Sequence, residues 1–316
     1  MLLPSTDVAP LAPVLGLRQD GDVGVSSASD LLITVFGELM RPAGGSAWTQ
    51  TLVAALGLLD VEDKAARQAI SRLGAKGWMT SERVGRKSRW QLTEWATDLL
   101  VRGAERIYGL GADDHPWNGE WLVLLASVPE THRPMRSRLA VQLGWAGFGT
   151  LGQGVWVSPR VERAREAAAI VRDLDVEGAV LFRSAMTDIG SPLDVAERAW
   201  PPGPLAGQYD AFLSQLNNTA SLDNATTTRR LLDLVDTWRR FPLVDPDLPL
   251  ELRPADWPGD SAAQEFAKRR SSWASSGADW WTAIERSFEE RPTRRTPPVT
   301  PSNTGRSGRS SSTCQS

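Results

Sequence analysis

The spacing of apolar residues predicts helices at the start of the folded part of the chain. Five of them recur at helical spacing in the first: Leu31, Leu32, Val35, Phe36 and Leu39. Arg41-Pro42 and Gly44-Gly45 end that helix. The helical pattern repeats over residues 48–58, where Thr49 is expected to cap the start. It repeats again over residues 61–76, and Gly77 closes that third helix.

The apolar period changes from helical to alternating after Gly77. Residues 78–84 and 89–92 are predicted to be two short strands, joined by a turn at residues 85–88. Thr93 is placed to cap a further helix over residues 94–108. Three helices followed by a hairpin is the order of elements in a winged helix-turn-helix.

The middle of the chain alternates between apolar strands and amphipathic helices. Strands are predicted at residues 121–128 and 179–184, helices at 132–145 and 161–173, and a hairpin or bent strand at 148–158. The order strand, helix, strand, strand, helix, strand fits a ferredoxin-like fold. Helical patterns then return at residues 209–216, 226–240, 262–274 and 278–290. A proline-rich, apolar crossing at residues 241–249 is expected to pack over these helices.

The chain is therefore predicted to be an α+β protein with three folded domains. We expect a winged helix-turn-helix DNA-binding domain at 27–110, a ferredoxin-like α/β domain at 119–190 and a helical domain at 191–290, with a polar linker at residues 109–118. Pro/Gly-rich residues 1–26 are predicted to be a disordered arm. Residues 291–316, which contain five arginines and no acid, are predicted to be a disordered basic tail.

Composition excludes several classes of protein. No stretch approaches the 18 or so apolar residues that a membrane-spanning helix needs, and residues 1–26 lack the pattern of a secretory signal. The single cysteine, Cys314, excludes a disulfide framework within one chain, and His115 and His132 have no zinc-site spacing. Phosphate-loop, dinucleotide and nucleophile-elbow motifs are absent. We expect a cytoplasmic protein with no metal, no cofactor and no enzymatic activity.

The overall net charge of −3 conceals a basic segment. Residues 64–91 contain eight bases and one acid, Glu82. The third helix is predicted to read bases in the major groove through Lys64, Arg67, Gln68, Ser71 and Arg72. The hairpin is predicted to touch phosphates or the minor groove through Arg83, Arg86, Lys87 and Arg89. The alternative is a solvated basic face on an ordinary helical unit.

Several motifs resemble one family, over roughly residues 28–290. In the first domain these are LLITVFGE at 31–38 and AARQAISRL at 65–73, and in the middle WLVL at 121–124, WAGFG at 145–149 and VWVSP at 155–159. Near the end they are WRRFP at 238–242, DPDLP at 245–249 and PADWPG at 254–259. The chain thus resembles the PaaX-type transcriptional repressors of phenylacetic acid catabolism. The resemblance implies a dimeric repressor of operator DNA that an aryl-CoA thioester such as phenylacetyl-CoA releases.

Such an effector has an apolar acyl end and a multiply charged nucleotide end. The candidates for binding it are Arg136, Trp145 and Arg239, although most tryptophans of this kind are core residues. A second hypothesis is a metal-dependent nuclease, because the middle domain is similar to the ferredoxin-like nucleases of CRISPR adaptation. Those nucleases carry a metal-binding aspartate at the end of the first strand, where this chain has Leu125-Ala126-Ser127. The missing carboxylate argues against that activity.

Overall fold

Two separate antiparallel sheets and a larger number of helices make up the α+β structure. The computed structural model describes residues 26–111, 116–216 and 223–289. Nearly all of the predicted disordered arm and all of the predicted basic tail lie outside these residues. So does part of the predicted linker.

The first 84 residues of the described part contain four helices and a three-stranded sheet. Helix α1, Ala28–Val35, continues into a π-helical turn, Phe36–Met40. It is followed by α2, Thr49–Leu58, and α3, Asp63–Ala75. The strands are β1, Ser46–Trp48, β2, Met79–Val84, and β3, Lys87–Leu92, in the order β1-β3-β2. Helix α4, Glu94–Gly109, follows the hairpin directly.

Side-chain caps fix two of these helix starts. Ser27 and Asp30 form a reciprocal capping box on α1. Thr93 accepts a hydrogen bond from the backbone N–H of Ala96, as its position before α4 predicted. The predicted cap at Thr49 is wrong: Trp48 precedes α2 with no side-chain cap. The Thr49 hydroxyl instead donates to the Ser88 carbonyl and accepts from the Trp90 indole, which ties α2 to β3.

The second sheet has four strands and two long helices inserted between them. Its elements are β4 (Glu120–Leu125), α5 (Arg133–Trp145), β5 (Gly149–Gly152), β6 (Val155–Ser158), α6 (Ala164–Asp173) and β7 (Val180–Ala185). The strand order is β5-β6-β4-β7, and each neighbouring pair is antiparallel. Alternation along β4 sends Leu122 and Leu124 into one buried cluster and Trp121 into another, so both sheet faces are at least partly covered.

Four more helices complete the described part of the chain. They are α7, Pro192–Ala199, α8, Pro202–Gln215, α9, Asn224–Trp238, and α10, Pro258–Glu289. Two separate helices were predicted where the single 32-residue α10 runs. The serines and Gly277 do not break it, because the helix is packed at that point. A Cβ on Gly277 would lie 3.0 Å from Leu231 and 3.2 Å from Leu39, so glycine permits the close approach of neighbouring elements.

The main hydrophobic core crosses the predicted boundary at residue 110. It combines apolar residues of α1–α4 with Leu232 of α9 and with Trp280 and Trp281 of α10. A second cluster joins the end of α4 to α8, α9 and α10 around Trp238, whose ring stacks on Phe266 at 4.6 Å. The amino-terminal helices are therefore packed on the carboxyl-terminal helices. No helix in residues 26–111, 116–216 or 223–289 has the length and apolarity needed to span a bilayer.

Candidate nucleic-acid interface and ligand cleft

Helix α3 has one buried face and one basic, exposed face. Ala66, Ala69, Ile70 and Leu73 point into the core. The predicted base-reading residues are all exposed on the other side: Lys64, Arg67, Gln68, Ser71 and Arg72. The structure therefore brings this predicted group together on one surface, which we call the α3 basic face.

Two contacts along the helix hold part of this face in place. Arg67 forms an ion pair with Asp63, one turn earlier, with its Nε 2.6 Å from Oδ1. Both side chains are at least half exposed, so the pair contributes little to stability. The hydrogen bond from Arg67 lowers the pKa of the Asp63 carboxyl. Arg72 lies 3.5 Å from the side-chain oxygen of Gln68.

The hairpin arginines and lysine fall into two groups. Arg83 and Arg86 are exposed beside the β2–β3 turn, where Gly85 has a φ of +62°. Lys87 and Arg89 are only partly exposed and reach the carboxyl end of α10. Both cations therefore already have partners within the protein.

The contacts of Lys87 and Arg89 with α10 are numerous. Lys87 Nζ donates to the Phe288 carbonyl, and Arg89 lies 3.7 Å from Glu285 and 3.4 Å from Glu289. Both cations lie over the Trp48 ring, at 5.6 and 5.1 Å from its centre. Sequence reasoning missed this cluster because Arg89 and Glu289 are 200 residues apart along the chain.

A cleft of about 570 Å³ lies between α4, α5, α6 and the proline-rich crossing. Arg106 of α4 lines this cleft, with its guanidinium 4.0 Å from the centre of the Trp145 ring. It donates to the carbonyls of Trp145 and Pro242. Burial, together with the nearby positive charge of Arg163, lowers the pKa of Arg106 to about 10.

Most acidic groups around this cleft already have partners. Glu166 pairs with Arg163 at 3.0 Å, and Asp247 pairs with Arg160 at 2.5 Å. Asp245 is buried, accepts from the Tyr209 hydroxyl at 2.5 Å and accepts from the backbone N–H of Asp247. Burial raises the pKa of Asp245.

The three predicted effector-binding residues lie in three different places. Trp145 forms part of the wall of the 570 Å³ cleft. Arg136 is exposed, pairs with Glu130 and borders a separate cavity of about 580 Å³ next to Ser127. Arg239 is buried against Asp236, with its Nε 3.0 Å from Oδ1, and lines neither of these two cavities. The structure does not bring them into one site, and sequence reasoning missed Arg106.

The end of β4, where a nuclease of the second hypothesis would hold its metal, continues into Ala126 and Ser127. Within the described ranges, no cluster of three or more His, Cys, Asp or Glu side chains could hold a metal ion. The proteins to which the chain is similar give the nuclease hypothesis no support.

Three family models match successive parts of the chain. Residues 27–96 match the model described as PaaX-like protein, and residues 114–196 match the PaaX protein central Cas2-like domain. Residues 200–283 match the PaaX-like protein C-terminal domain. The matches follow one another in order and cover most of the described residues.

Two individual proteins extend these matches. The transcriptional repressor PaaX of Escherichia coli K12 is 28 % identical over 250 residues, which is 75 % of this chain and 78 % of the repressor. The solved structure of the uncharacterized protein Rv0674 from Mycobacterium tuberculosis aligns with a TM-score of 0.57 at 21 % identity. It covers 82 % of this chain and 98 % of its own, and the likeness shows a shared fold.

Proposed function

The chain belongs to the PaaX family, and we propose that it is a transcriptional repressor that binds double-stranded operator DNA. The α3 basic face is the observation that carries this proposal. The similar Escherichia coli protein is named a transcriptional repressor, which agrees with it.

The DNA-binding unit in this proposal is a winged helix-turn-helix at residues 27–110. The order α1, β1, α2, α3, β2, β3 and the sheet order β1-β3-β2 support it. Helix α3 acts as the reading helix, and the β2–β3 hairpin acts as the wing. The remaining proposed units are a ferredoxin-like unit at 119–190, supported by the strand order β5-β6-β4-β7, and a helical unit at 191–290.

The α3 basic face offers the side-chain types that read bases. Arginine pairs bidentately with guanine and glutamine with adenine, and the apolar side of α3 anchors these residues at fixed positions. Arg83 and Arg86 on the wing are placed to contact phosphates. Lys87 and Arg89 contribute less in this proposal, because α10 already holds them.

One module reads only a short half-site, so we propose a homodimer on an inverted repeat. We also propose that an aryl-CoA thioester, such as phenylacetyl-CoA, releases the protein from DNA. A hundredfold release requires ~2.7 kcal/mol of coupling between the two binding events.

Fluorescence anisotropy with operator and random duplexes tests the reading helix. Arg72→Ala is expected to weaken operator binding by ~1–3 kcal/mol and random binding much less, because a base contact is lost. The matched control is Arg172→Ala, an exposed arginine on α6 that should leave both affinities unchanged. If Arg72→Ala loses affinity equally for both duplexes, α3 is not the helix that reads bases. If it loses no affinity for either duplex, this DNA interface is rejected.

A further inference from the structure

Arg106 is a partly buried cation with no acidic partner in the described part of the chain. No carboxylate oxygen of residues 26–111, 116–216 or 223–289 lies within 4.0 Å of its guanidinium nitrogens. Its two acceptors are main-chain carbonyls, those of Trp145 and Pro242. A guanidinium has five N–H donors, so several remain for another acceptor.

We propose that the cleft around Arg106 binds a small organic anion. A phosphate or carboxylate group of the ligand bonds to Arg106, and its apolar part lies against Ile170, Leu110 and Pro246. In this proposal the ligand that releases the protein from DNA binds in this cleft, so the effect on DNA rests on the proposed function. Binding in the cleft itself does not depend on DNA.

The surroundings of Arg106 favour binding of an anionic ligand over a role of its charge in stabilising the fold alone. Two acidic groups of the cleft are already paired with other arginines: Glu166 with Arg163 and Asp247 with Arg160. Burial is the main cost to the charged form of Arg106; the positive charges of Arg163 and Arg160 add to that cost, and the negative charges of Glu166 and Asp247 reduce it. An anion entering the cleft offsets that cost through charge-assisted hydrogen bonds, which are the stronger kind.

The size and composition of the cleft match a small molecule. Its volume of about 570 Å³ falls within the range of ligand sites, ~300–1,000 Å³. Trp145 and Ile170 form part of its apolar wall, Arg102 and Arg165 add positive charge, and Glu105 and Asp173 add negative charge. A ligand with both an anionic and an apolar part can therefore contact Arg106 and the apolar wall together.

Helix α4 links this cleft to the reading helix. The Thr93 hydroxyl at the start of α4 donates to the carbonyl of Gly77, which follows α3, at 2.8 Å. The last turn of α4 carries Arg106 and lines the cleft. A ligand that draws α4 towards α5 and α6 changes the position of α3, provided that it binds that arrangement more tightly.

The test measures ligand binding without DNA, by calorimetry and by the shift in melting temperature. The probes are pyrophosphate, phenylacetate, coenzyme A and phenylacetyl-CoA, applied to the full chain. At least one probe is expected to raise the melting temperature, with at least tenfold weaker binding by Arg106→Gln. Arg138→Gln, an exposed arginine outside the cleft, is the control and should bind as the wild type does. Pyrophosphate and phenylacetate distinguish a phosphate from a carboxylate as the bound group.

A second variant covers the case in which Arg106→Gln does not fold. Ala169→Glu places a carboxylate on the cleft wall, where it competes for Arg106, and should also weaken binding at least tenfold. Binding of no probe, or equal binding by the wild type and the folded variants, would overturn the inference. Anisotropy on operator DNA is run in parallel. If the wild type binds a probe but not DNA, the inference about the cleft holds and the proposed function is rejected. If it binds DNA but no probe, only the inference about the cleft is rejected.

Discussion

Replacing Arg270 with methionine should destabilise the protein far more than an average charge deletion. Arg270 on α10 holds Glu38 of the π-helical turn with two hydrogen bonds, at 3.0 and 3.3 Å. The Glu38 side chain is 3 % exposed, whereas that of Arg270 is 32 % exposed. Tyr108 also donates to Glu38, and its ring lies 3.8 Å below the Arg270 guanidinium. In Arg270→Met, the Glu38 carboxylate stays buried without its counter-charge.

Breaking a buried ion pair from one side costs about 3–5 kcal/mol. The partial exposure of Arg270 lets water reach the pair, so we expect a loss near the lower end, about 3 kcal/mol. The double variant Glu38→Gln/Arg270→Met should recover about 1–2 kcal/mol, because a neutral amide is cheaper to bury and still accepts from Tyr108. Lys268→Met on the same helix is the control. Its side chain is 75 % exposed, and losing an exposed pair costs about 0–1 kcal/mol.

The assay is urea unfolding followed by tryptophan fluorescence, with the free energy extrapolated to water. We expect the order Lys268→Met, then the double variant, then Arg270→Met, from least to most destabilised. The explanation by an unpaired buried charge on Glu38 is wrong if Arg270→Met lowers the free energy of unfolding no more than Lys268→Met does. It is also wrong if the double variant is no more stable than Arg270→Met.

Two further predictions concern the ends of α10 and α9. The double variant Glu285→Gln/Glu289→Gln removes the two carboxylates that pair with Arg89. Binding to random DNA should therefore tighten, and its salt dependence in anisotropy titrations should steepen by about one phosphate contact. An unchanged salt dependence would contradict this prediction. Burial opposes ionisation of Asp236, but Arg239, Ser26 and Arg240 outweigh it and lower its pKa. The stability from this lowered pKa is fully present above about pH 4 and is lost as the pH falls through the folded-state pKa, so the melting-temperature gap between wild type and Asp236→Asn should narrow below about pH 4. A difference in melting temperature that does not change with pH would refute the lowered pKa of Asp236.

Most of the helices and the α3 basic face were predictable because both depend on local periodicity, whereas helix α7, Pro192–Ala199, was not predicted. Apolar residues at Ala66, Ile70 and Leu73 fix which side of α3 is buried, so the exposure of Arg67 and Arg72 follows from the 3.6-residue repeat. Strand β1 was missed because it has three residues, and its strand character comes from pairing with residues 89–91 of β3. Helix α10 was predicted as two helices, because serines and a glycine weaken helix propensity while tertiary packing overrides it.

The cleft around Arg106 could be anticipated only in part. Arg102 and Arg106 are four residues apart on a predicted helix, which places them on one face of α4. Nothing in the local sequence shows that this face meets Trp145 and Pro242, since those contacts join residues 39 and 136 positions apart. Arg239 was chosen for its place in an aromatic, basic motif, yet that arginine is bonded to Asp236 in the interior.

The proposed DNA-binding unit should not fold as a stable fragment ending at residue 110. Its core includes Trp281, 2 % exposed, and Trp280, 8 % exposed, both from α10. Deleting one buried tryptophan side chain costs about 3–5 kcal/mol, and whole proteins have only about 5–15 kcal/mol of stability. The fragment loses both tryptophans and also the Glu38–Arg270 pair. We expect residues 26–110 to show no cooperative melting transition by calorimetry.

Trp281→Ala in the full chain is the companion measurement for the fragment. We expect it to lower the unfolding free energy by about 3–5 kcal/mol, because the cavity it leaves lies in the core shared with α1–α4. A fragment that melts cooperatively near the temperature of the full chain would show that α10 only rests on a self-sufficient unit. The packing of α10 on α1–α4 would then add little to the stability of α3, and movements of the carboxyl-terminal helices would reach α3 only through α4. If the fragment is unfolded, any ligand that shifts α9 or α10 acts directly on the core of the proposed DNA-binding unit.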